Sequence, residues 1–253
     1  MELKGRIAVV TGASSGIGKA IASRFLREGA TVAGVARNEE ALRTFAAIFP
    51  SGTLHPFPAD LTSESERAHC IHRIIAELGG IDILVHAAGI IGTGTIETTT
   101  LSDLETMMNI NVSAVFQLTQ LALPSLISRK GNILNISSVA GLRSFPGVLS
   151  YCVSKAALDQ LTRCAALELA SKGVRVNAIN PGVVVTELHR SGGMNEERYQ
   201  AFLEHSATTH PLGRVGNVEE IAELVLFLVS ERASWITGVT CSIDGGRALT
   251  CAR

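Results

Sequence analysis

Paired cysteines are missing from this sequence. Its five, Cys70, Cys152, Cys164, Cys241 and Cys251, are odd in number and scattered without a C-x-x-C spacing, which argues against a disulfide framework or a structural zinc site and predicts free thiols. Charge of one sign is lacking too. The 22 Lys and Arg stand against 23 Asp and Glu with no block of either, so nothing draws the chain to nucleic acid or an anionic membrane, and a small neutral or modestly charged partner is expected. No apolar run approaches the ~20 residues that span a bilayer. The start, Met1-Glu2-Leu3-Lys4-Gly5, lacks the basic flank, apolar stretch and small-residue site of a secretory signal, and the expected location is the cytoplasm. Among seven histidines only His69 and His72 lie close, on a Glu- and Arg-rich stretch that reads as a solvated helix face; no metal is expected. Internal repeats and low-complexity tracts are absent as well.

What the sequence does contain is regular alternation. At 253 residues and 46% hydrophobic, it is long enough to bury one sizeable core as a single domain, residues 1–253. Short β-branched runs predict strands near 7–10, 31–35, 54–57, 81–85, 132–136, 175–179 and 240–243. Between them the helical period predicts helices over about 17–28, 39–48, 64–78, 101–128, 151–172 and 218–229. This is an α/β pattern of repeated β-α units around a parallel sheet. The Gly/Ser-rich, charged stretch 187–216 breaks the period and reads as an excursion over the sheet, a lid holding one short helix near 195–203.

The first strand runs into Thr11-Gly12-Ala13-Ser14-Ser15-Gly16-Ile17-Gly18 and a helix follows at once. A lone glycine pattern could be a plain tight turn. Here a strand precedes it and a helix follows, so backbone N–H groups and the positive end of the helix dipole are offered to a pyrophosphate. Gly12, Ser14, Ser15, Gly16, Ile17 and Gly18 are the candidate phosphate contacts. The spacing Thr-Gly-x-x-x-Gly-Ile-Gly resembles that of the short-chain dehydrogenase/reductase family. The resemblance recurs at Asp60-Leu61, at Pro181-Gly182-Val183-Val184-Val185-Thr186 and at the ending Asp244-Gly245-Gly246, and so covers essentially the whole chain. It implies a doubly wound, parallel seven-stranded sheet (a Rossmann fold) with helices on both faces. It also implies adenine contacts at Asp60 and Leu61, and a nicotinamide carboxamide held by Pro181, Gly182, Val184 and Thr186. One position departs: the family's Asn-Asn-Ala-Gly is His86-Ala87-Ala88-Gly89 here. Ala88 and Gly89 can keep backbone contacts to the cofactor ribose, but Ala87 cannot supply the second Asn's side-chain bonds.

At the tip of the second strand, NAD enzymes place an acid on the ribose 2′-hydroxyl. This chain has Ala36-Arg37-Asn38. Arg37, with Asn38 beside it, suits a 2′-phosphate and favours NADP(H) over NAD(H), although an exposed surface arginine would look the same and the glycine loop has Ser14 and Ser15 where many NADP users carry a second basic residue.

Tyr151 and Lys155 stand four apart on a helix, with Cβ atoms about 5 to 6 Å apart. A free phenol titrates near ~10, so a neighbouring cation is expected to favour the phenolate. Ser138, thirteen residues before Tyr151, and Asn111 complete the tetrad that the resemblance implies. Tyr151 is its acid/base, Ser138 steadies the carbonyl oxygen, Lys155 supports the phenol, and the Asn111 backbone carbonyl holds a water that links Lys155 to solvent. Tyr151 and Lys155 also count as cofactor contacts. The implied activity is NADP(H)-dependent hydride transfer between nicotinamide and a carbonyl or secondary alcohol on a mostly apolar small molecule. Leu142, Phe145, Val148, Leu149, Leu188, Met194, Tyr199 and Phe202 are expected at its pocket, with Ile90 to Thr95. Two alternatives stay open: a 3-oxoacyl-[acyl-carrier-protein] reductase, with Arg129 and Lys130 greeting an acidic carrier, and an NADP(H)-binding regulator without turnover. A homotetramer built through the two long helices and the last strand fits the apolar series Val115, Phe116, Leu118, Leu121 and Leu123, which core burial would also explain.

Overall fold

The computed structural model describes residues 1–250; Cys251 lies outside them. Seven strands, β1 (Ile7–Thr11), β2 (Thr31–Ala36), β3 (Leu54–Pro58), β4 (Ile83–His86), β5 (Asn132–Ile136), β6 (Arg175–Pro181) and β7 (Thr240–Ile243), form one sheet in the order β3-β2-β1-β4-β5-β6-β7. Every pairing is parallel. The order reverses between β1 and β4, and the crevice this opens at the carboxyl ends of the strands is where such sheets take ligands.

Ten helices connect the strands: α1 (Gly16–Arg27), α2 (Glu39–Ala46), α3 (Glu64–Leu78), α4 (Leu101–Met108), α5 (Ala114–Ser128), α6 (Val139–Leu142), α7 (Leu149–Leu169), α8 (Leu188–Ser191), α9 (Glu196–Thr209) and α10 (Val218–Val229). They cover both faces, which is why strands such as β1 read as unbroken apolar runs. The period-2 geometry of a strand divides each run between two cores. Ala8 and Val10 of β1 pack with Ile21, Phe25 and Val225 on the α1, α2 and α10 side. Val9 between them packs with Ile71, Leu118 and Ala166 on the α3, α5 and α7 side.

The expected strands and helices are present, with instructive shifts. β4 begins at Ile83 rather than Ile81, because the Ile81 N–H donates to Ser125 Oγ at 2.7 Å instead of joining the ladder. The helix expected over 101–128 is divided by a π turn, Asn109–Ser113. Leu101–Ser128 as a whole has the length and hydropathy to cross a bilayer, with a mean of 1.4 over its most apolar window, contrary to the expectation that no stretch would. Its Asn111 is buried, and Leu118, Ala122 and Leu126 pack into the sheet's own core, so one face of this helix belongs to a globular layer. α7 starts two residues before Tyr151 and passes into a 3₁₀ turn at Ala170–Lys172.

Candidate active site

The crevice holds a cavity of about 750 Å³. All the residues expected to touch the cofactor line it, from Gly12 through Arg37, Asn38, Asp60 and Leu61 to Pro181, Gly182, Val184 and Thr186, and so do Ser138, Tyr151 and Lys155. Asn111 does not line it but lies behind the wall.

At the β1–α1 turn, Gly12 has φ +70° and Gly16 φ +51°. A Cβ on Gly18 would fall closer to the Gly12 carbonyl oxygen than any real contact allows, so helix and loop are pressed together as only glycine permits. The start of α1 is left without protein partners. Its N-cap, Ser15, makes no side-chain cap bond and the first turn has no acid, whereas α2, α3, α4, α9 and α10 are each capped by Asn38, Ser63, Thr100, Asn195 and Asn217 and each carries an acid in its first turn. Free N–H groups and an uncompensated dipole at the mouth of a cavity fit a phosphate. Asn38, expected at the cofactor, spends its Oδ1 on that cap, accepting from Ala41 N at 2.9 Å.

At the His86-Ala87 departure the backbone is tied by Thr11, while the buried His86 Nδ1 has no partner among the described residues. The Thr11 hydroxyl accepts from the N–H groups of both Ala87 and Ala88 at 3.0 Å and donates to the Val85 carbonyl at 3.3 Å, using its one donor and two acceptor sites. His86 is buried, bonded to Thr119 Oγ1 at 3.1 Å, and burial pushes its pKa down to about 3, so it stays neutral.

β5 delivers Ser137 and Ser138, and they diverge. Ser137 Oγ turns to the Lys155 carbonyl at 3.3 Å. Ser138 Oγ accepts from Ala140 N at 3.1 Å and lies beside the Tyr151 hydroxyl. Burial pushes the Tyr151 phenol up to about 12, with the Ser138 hydroxyl pulling the other way. The sequence led us to expect a phenol lowered by Lys155, and the geometry shows why the chain alone does not do so. Lys155 Nζ donates to the Ile136 carbonyl at 2.8 Å and stands 5.6 Å from the centre of the Tyr151 ring, and burial lowers its own pKa to about 8. Asn111 sits in the π turn, where its side chain donates to Ile90 O and Ser154 Oγ and accepts from Ile90 N, each at 3.0 Å.

Three supporting residues escaped the sequence reading. Asp159, one turn beyond Lys155 on the same helix face, accepts from Asn180 Nδ2 at 2.9 Å, and Asn180 also donates to the Ser138 carbonyl at 2.9 Å. The four-residue spacing Tyr151, Lys155, Asp159 was the available signal. His210 Nε2 accepts from Val183 N at 3.1 Å. Tyr199, expected on the pocket wall, is 1% exposed and turned inward; its hydroxyl donates to Thr186 O at 3.0 Å and accepts from Thr186 N at 3.2 Å.

On the substrate side Ile90, Ile91, Phe145, Val148, Leu188 and Phe202 line the cavity, while Leu142, Leu149 and Met194 do not. The loops around Gly94 and Val148 are stitched by Gly94 N to Gly147 O at 2.8 Å and Leu149 N to Gly94 O at 3.1 Å. The stretch 187–216, expected as a lid, leaves and returns through a bridge between Val184 and Gly216. It holds two helices, α8 and α9, where one short helix was expected. The carrier surface expected at Arg129 and Lys130 sits at the opposite end of the sheet, where Arg129 is bound to Asp82 Oδ2 at 3.1 Å and the Gly79 carbonyl at 2.8 Å.

Residues 12–248 match the family model described as Enoyl-(Acyl carrier protein) reductase. The chain is 36% identical to a 3-oxoacyl-[acyl-carrier-protein] reductase of Thermotoga maritima over 97% of its own length and 99% of the relative's. It is 34% identical to a meso-2,3-butanediol dehydrogenase of Serratia marcescens over 97% and 96%. A Caenorhabditis elegans short-chain dehydrogenase/reductase of unknown function, solved with cofactor, superposes with a TM-score of 0.94 at 34% identity, covering 100% of this chain and 98% of that one. With the Rossmann sheet, the uncapped phosphate turn and the Ser138-Tyr151-Lys155 cluster in one crevice, these likenesses establish that the chain belongs to the short-chain dehydrogenase/reductase family, oxidoreductases that use a nicotinamide cofactor.

Proposed function

We propose that this protein is an NADP(H)-dependent reductase of ketones, and in reverse a dehydrogenase of secondary alcohols, on mostly apolar small molecules. The observation that carries the reading is the meeting of the Tyr151 and Ser138 hydroxyls in the cavity, beside the apolar side chains of Ile90, Ile91, Phe145 and Val148. The nicotinamide, when bound, supplies or accepts the hydride. Tyr151, neutral across the physiological range, donates its proton to the carbonyl oxygen. Ser138 donates a second hydrogen bond to that oxygen as charge grows there. Lys155 restores the phenol's proton, and the Asn111 backbone carbonyl, presented by the π turn, holds the water that connects Lys155 to solvent. NADP over NAD is supported by Arg37, which lines the cavity at the end of β2 and pairs with no carboxylate among the described residues. The four described cysteines are free thiols, which suits the reducing cytoplasm. Assembly as a homotetramer is part of the same reading.

The likenesses span a carrier-bound oxoacyl group and a butanediol, so they do not choose the substrate; commitment of Arg129 to Asp82 weighs against carrier docking at that place. The test is NADPH and NADH oxidation with ketones, diketones and acyl thioesters, using Tyr151→Phe and Arg37→Ala. Tyr151→Phe is expected to lower kcat by about 10²- to 10⁴-fold with NADPH affinity retained, and Arg37→Ala to weaken NADPH relative to NADH by about tenfold. Unimpaired turnover in the first variant, or no oxidation with any class by the wild type, would overturn the enzymatic reading; the second outcome would leave a cofactor-binding regulator.

A further inference from the structure

The substrate end of the cavity carries a cationic side chain that the mechanism does not use. Arg247 lines it, with its guanidinium carbon 5.1 Å from the centre of the Phe145 ring. Other cations on the cavity wall are accounted for: Arg37 lies at the adenosine end, and Lys155 is bonded to the Ile136 carbonyl. Acids nearby are engaged elsewhere. On the lid, Glu187 and Glu196 both pair with Arg190, at 2.9 and 2.7 Å. Asp244, three residues before Arg247, spends its carboxylate on the N–H groups of Gly246 at 2.9 Å and Ala248 at 2.6 Å. No carboxylate among the described residues reaches ion-pair distance of Arg247; its one side-chain bond is to Thr250 Oγ1 at 3.1 Å.

The turn that presents Arg247 is held by other residues. Arg143 gathers the carbonyls of Arg247 at 3.1 Å, Ala248 at 3.3 Å and Thr250, while Asp244 ties the amides of the same turn. Two side chains thus fix the backbone, and the guanidinium, resting over an aromatic ring, keeps donors to spare. A planar fork of N–H groups beside an apolar wall is matched to a carboxylate or phosphate at the end of a hydrocarbon body.

We infer that Arg247 recognises an anionic group on the substrate, so that the preferred substrates are oxo or hydroxy acids rather than neutral ketones. This rests on the reading of the cavity as a substrate site, yet it can be tested without turnover. Calorimetric titration of the NADPH-loaded enzyme with octanoate and with its neutral isostere octanamide should show about tenfold tighter binding of the acid. Arg247→Met, which keeps the stem over Phe145, should bring the two within about twofold of each other, and Arg247→Lys should retain part of the preference. NADPH affinity in the same preparations separates a lost anion site from a lost fold. Octyl phosphate against octanol distinguishes a phosphate from a carboxylate as the preferred head group. Equal binding of acid and amide by the wild type, or a preference that survives in Arg247→Met, would overturn the inference; a failure of the hydride-transfer reading would show instead as turnover indifferent to Tyr151→Phe.

Discussion

A phenol shut away from water holds its proton more firmly than one in solvent, because the anion loses its hydration and only the neutral form is spared. Tyr151, pushed up to about 12, keeps its proton across the physiological range, so the form that reduction needs is the one present, and it gives that proton up as charge develops on the carbonyl oxygen. The titrating partner is Lys155, lowered from its ordinary 10.5 to about 8 by the same burial. If its ammonium returns the proton to the phenol, kcat for reduction is level below pH 8 and falls above it by up to about tenfold per pH unit. The sign of the stability change is opposite. Between about 8 and 10.5 the unfolded chain binds the extra proton on this lysine, so its contribution to stability rises with pH there. A pH series of kcat, with Tm measured on the same samples, tests both: a level kcat to pH 10, or a decline matched by a falling Tm, would remove Lys155 from the relay.

Among the elements, the excursion over residues 187–216 has its inner anchor in Tyr199. Both polar contacts of its hydroxyl go to the Thr186 backbone, at the stretch expected to hold the carboxamide, so Tyr199→Phe leaves a partly buried amide and carbonyl without this partner, at about 1 kcal/mol. The expected result is a KM for cofactor raised about tenfold with kcat at saturation within about threefold; an unchanged KM would show that the clamp only packs the lid. Nothing in the period of residues 187–216 announces this contact, since it joins positions thirteen apart through a side chain, and local patterning gave Tyr199 no direction beyond apolar. The elements themselves were legible wherever a local rule governs them. Strand runs show because both faces are buried, and Asn38, Ser63, Asn195 and Asn217 mark helix starts by capping. The phosphate turn was readable because strand, glycines and helix are contiguous. The π turn at Asn109–Ser113 was not, although Asn109-Ile110-Asn111-Val112 is a poor helical run. Its cause is tertiary, the tie of the Asn111 side chain to Ile90 and Ser154. The same holds for Thr11, whose hydroxyl ties the backbone amides of Ala87 and Ala88 across the sheet, a tertiary contact that no local pattern announces.

At the scale of the whole molecule, two groups of exposed apolar residues stand out among those left in water. Phe116 on α5 is 48% exposed, and Val153 and Leu167 on α7 are 46% and 83% exposed, on the two long helices that share a face of the sheet. The second lies at the open edge formed by β7, with Trp235 and Val239 just before it. Exposed edges and apolar helix faces are the surfaces that association covers, and two unlike patches on one chain, each meeting its own copy, close into a tetramer of dihedral symmetry. Of the series read from the sequence, Val115 and Leu118 are core while Phe116 faces out, so the proposed assembly would rest on the exposed members. Leu167 is the place to test this, since a residue already in water in the free chain contributes little to folding and its replacement acts on assembly alone. Leu167→Asp is expected to halve the molar mass measured by light scattering, leaving dimers joined through the β7 edge, with the monomer fold intact by circular dichroism. Trp235 is the single tryptophan and reports the other interface: its emission should stay blue-shifted in those dimers and move red only on dilution to monomers. A wild-type chain that scatters as a monomer, or a Leu167→Asp variant of unaltered mass, would show that these patches are not where the copies meet.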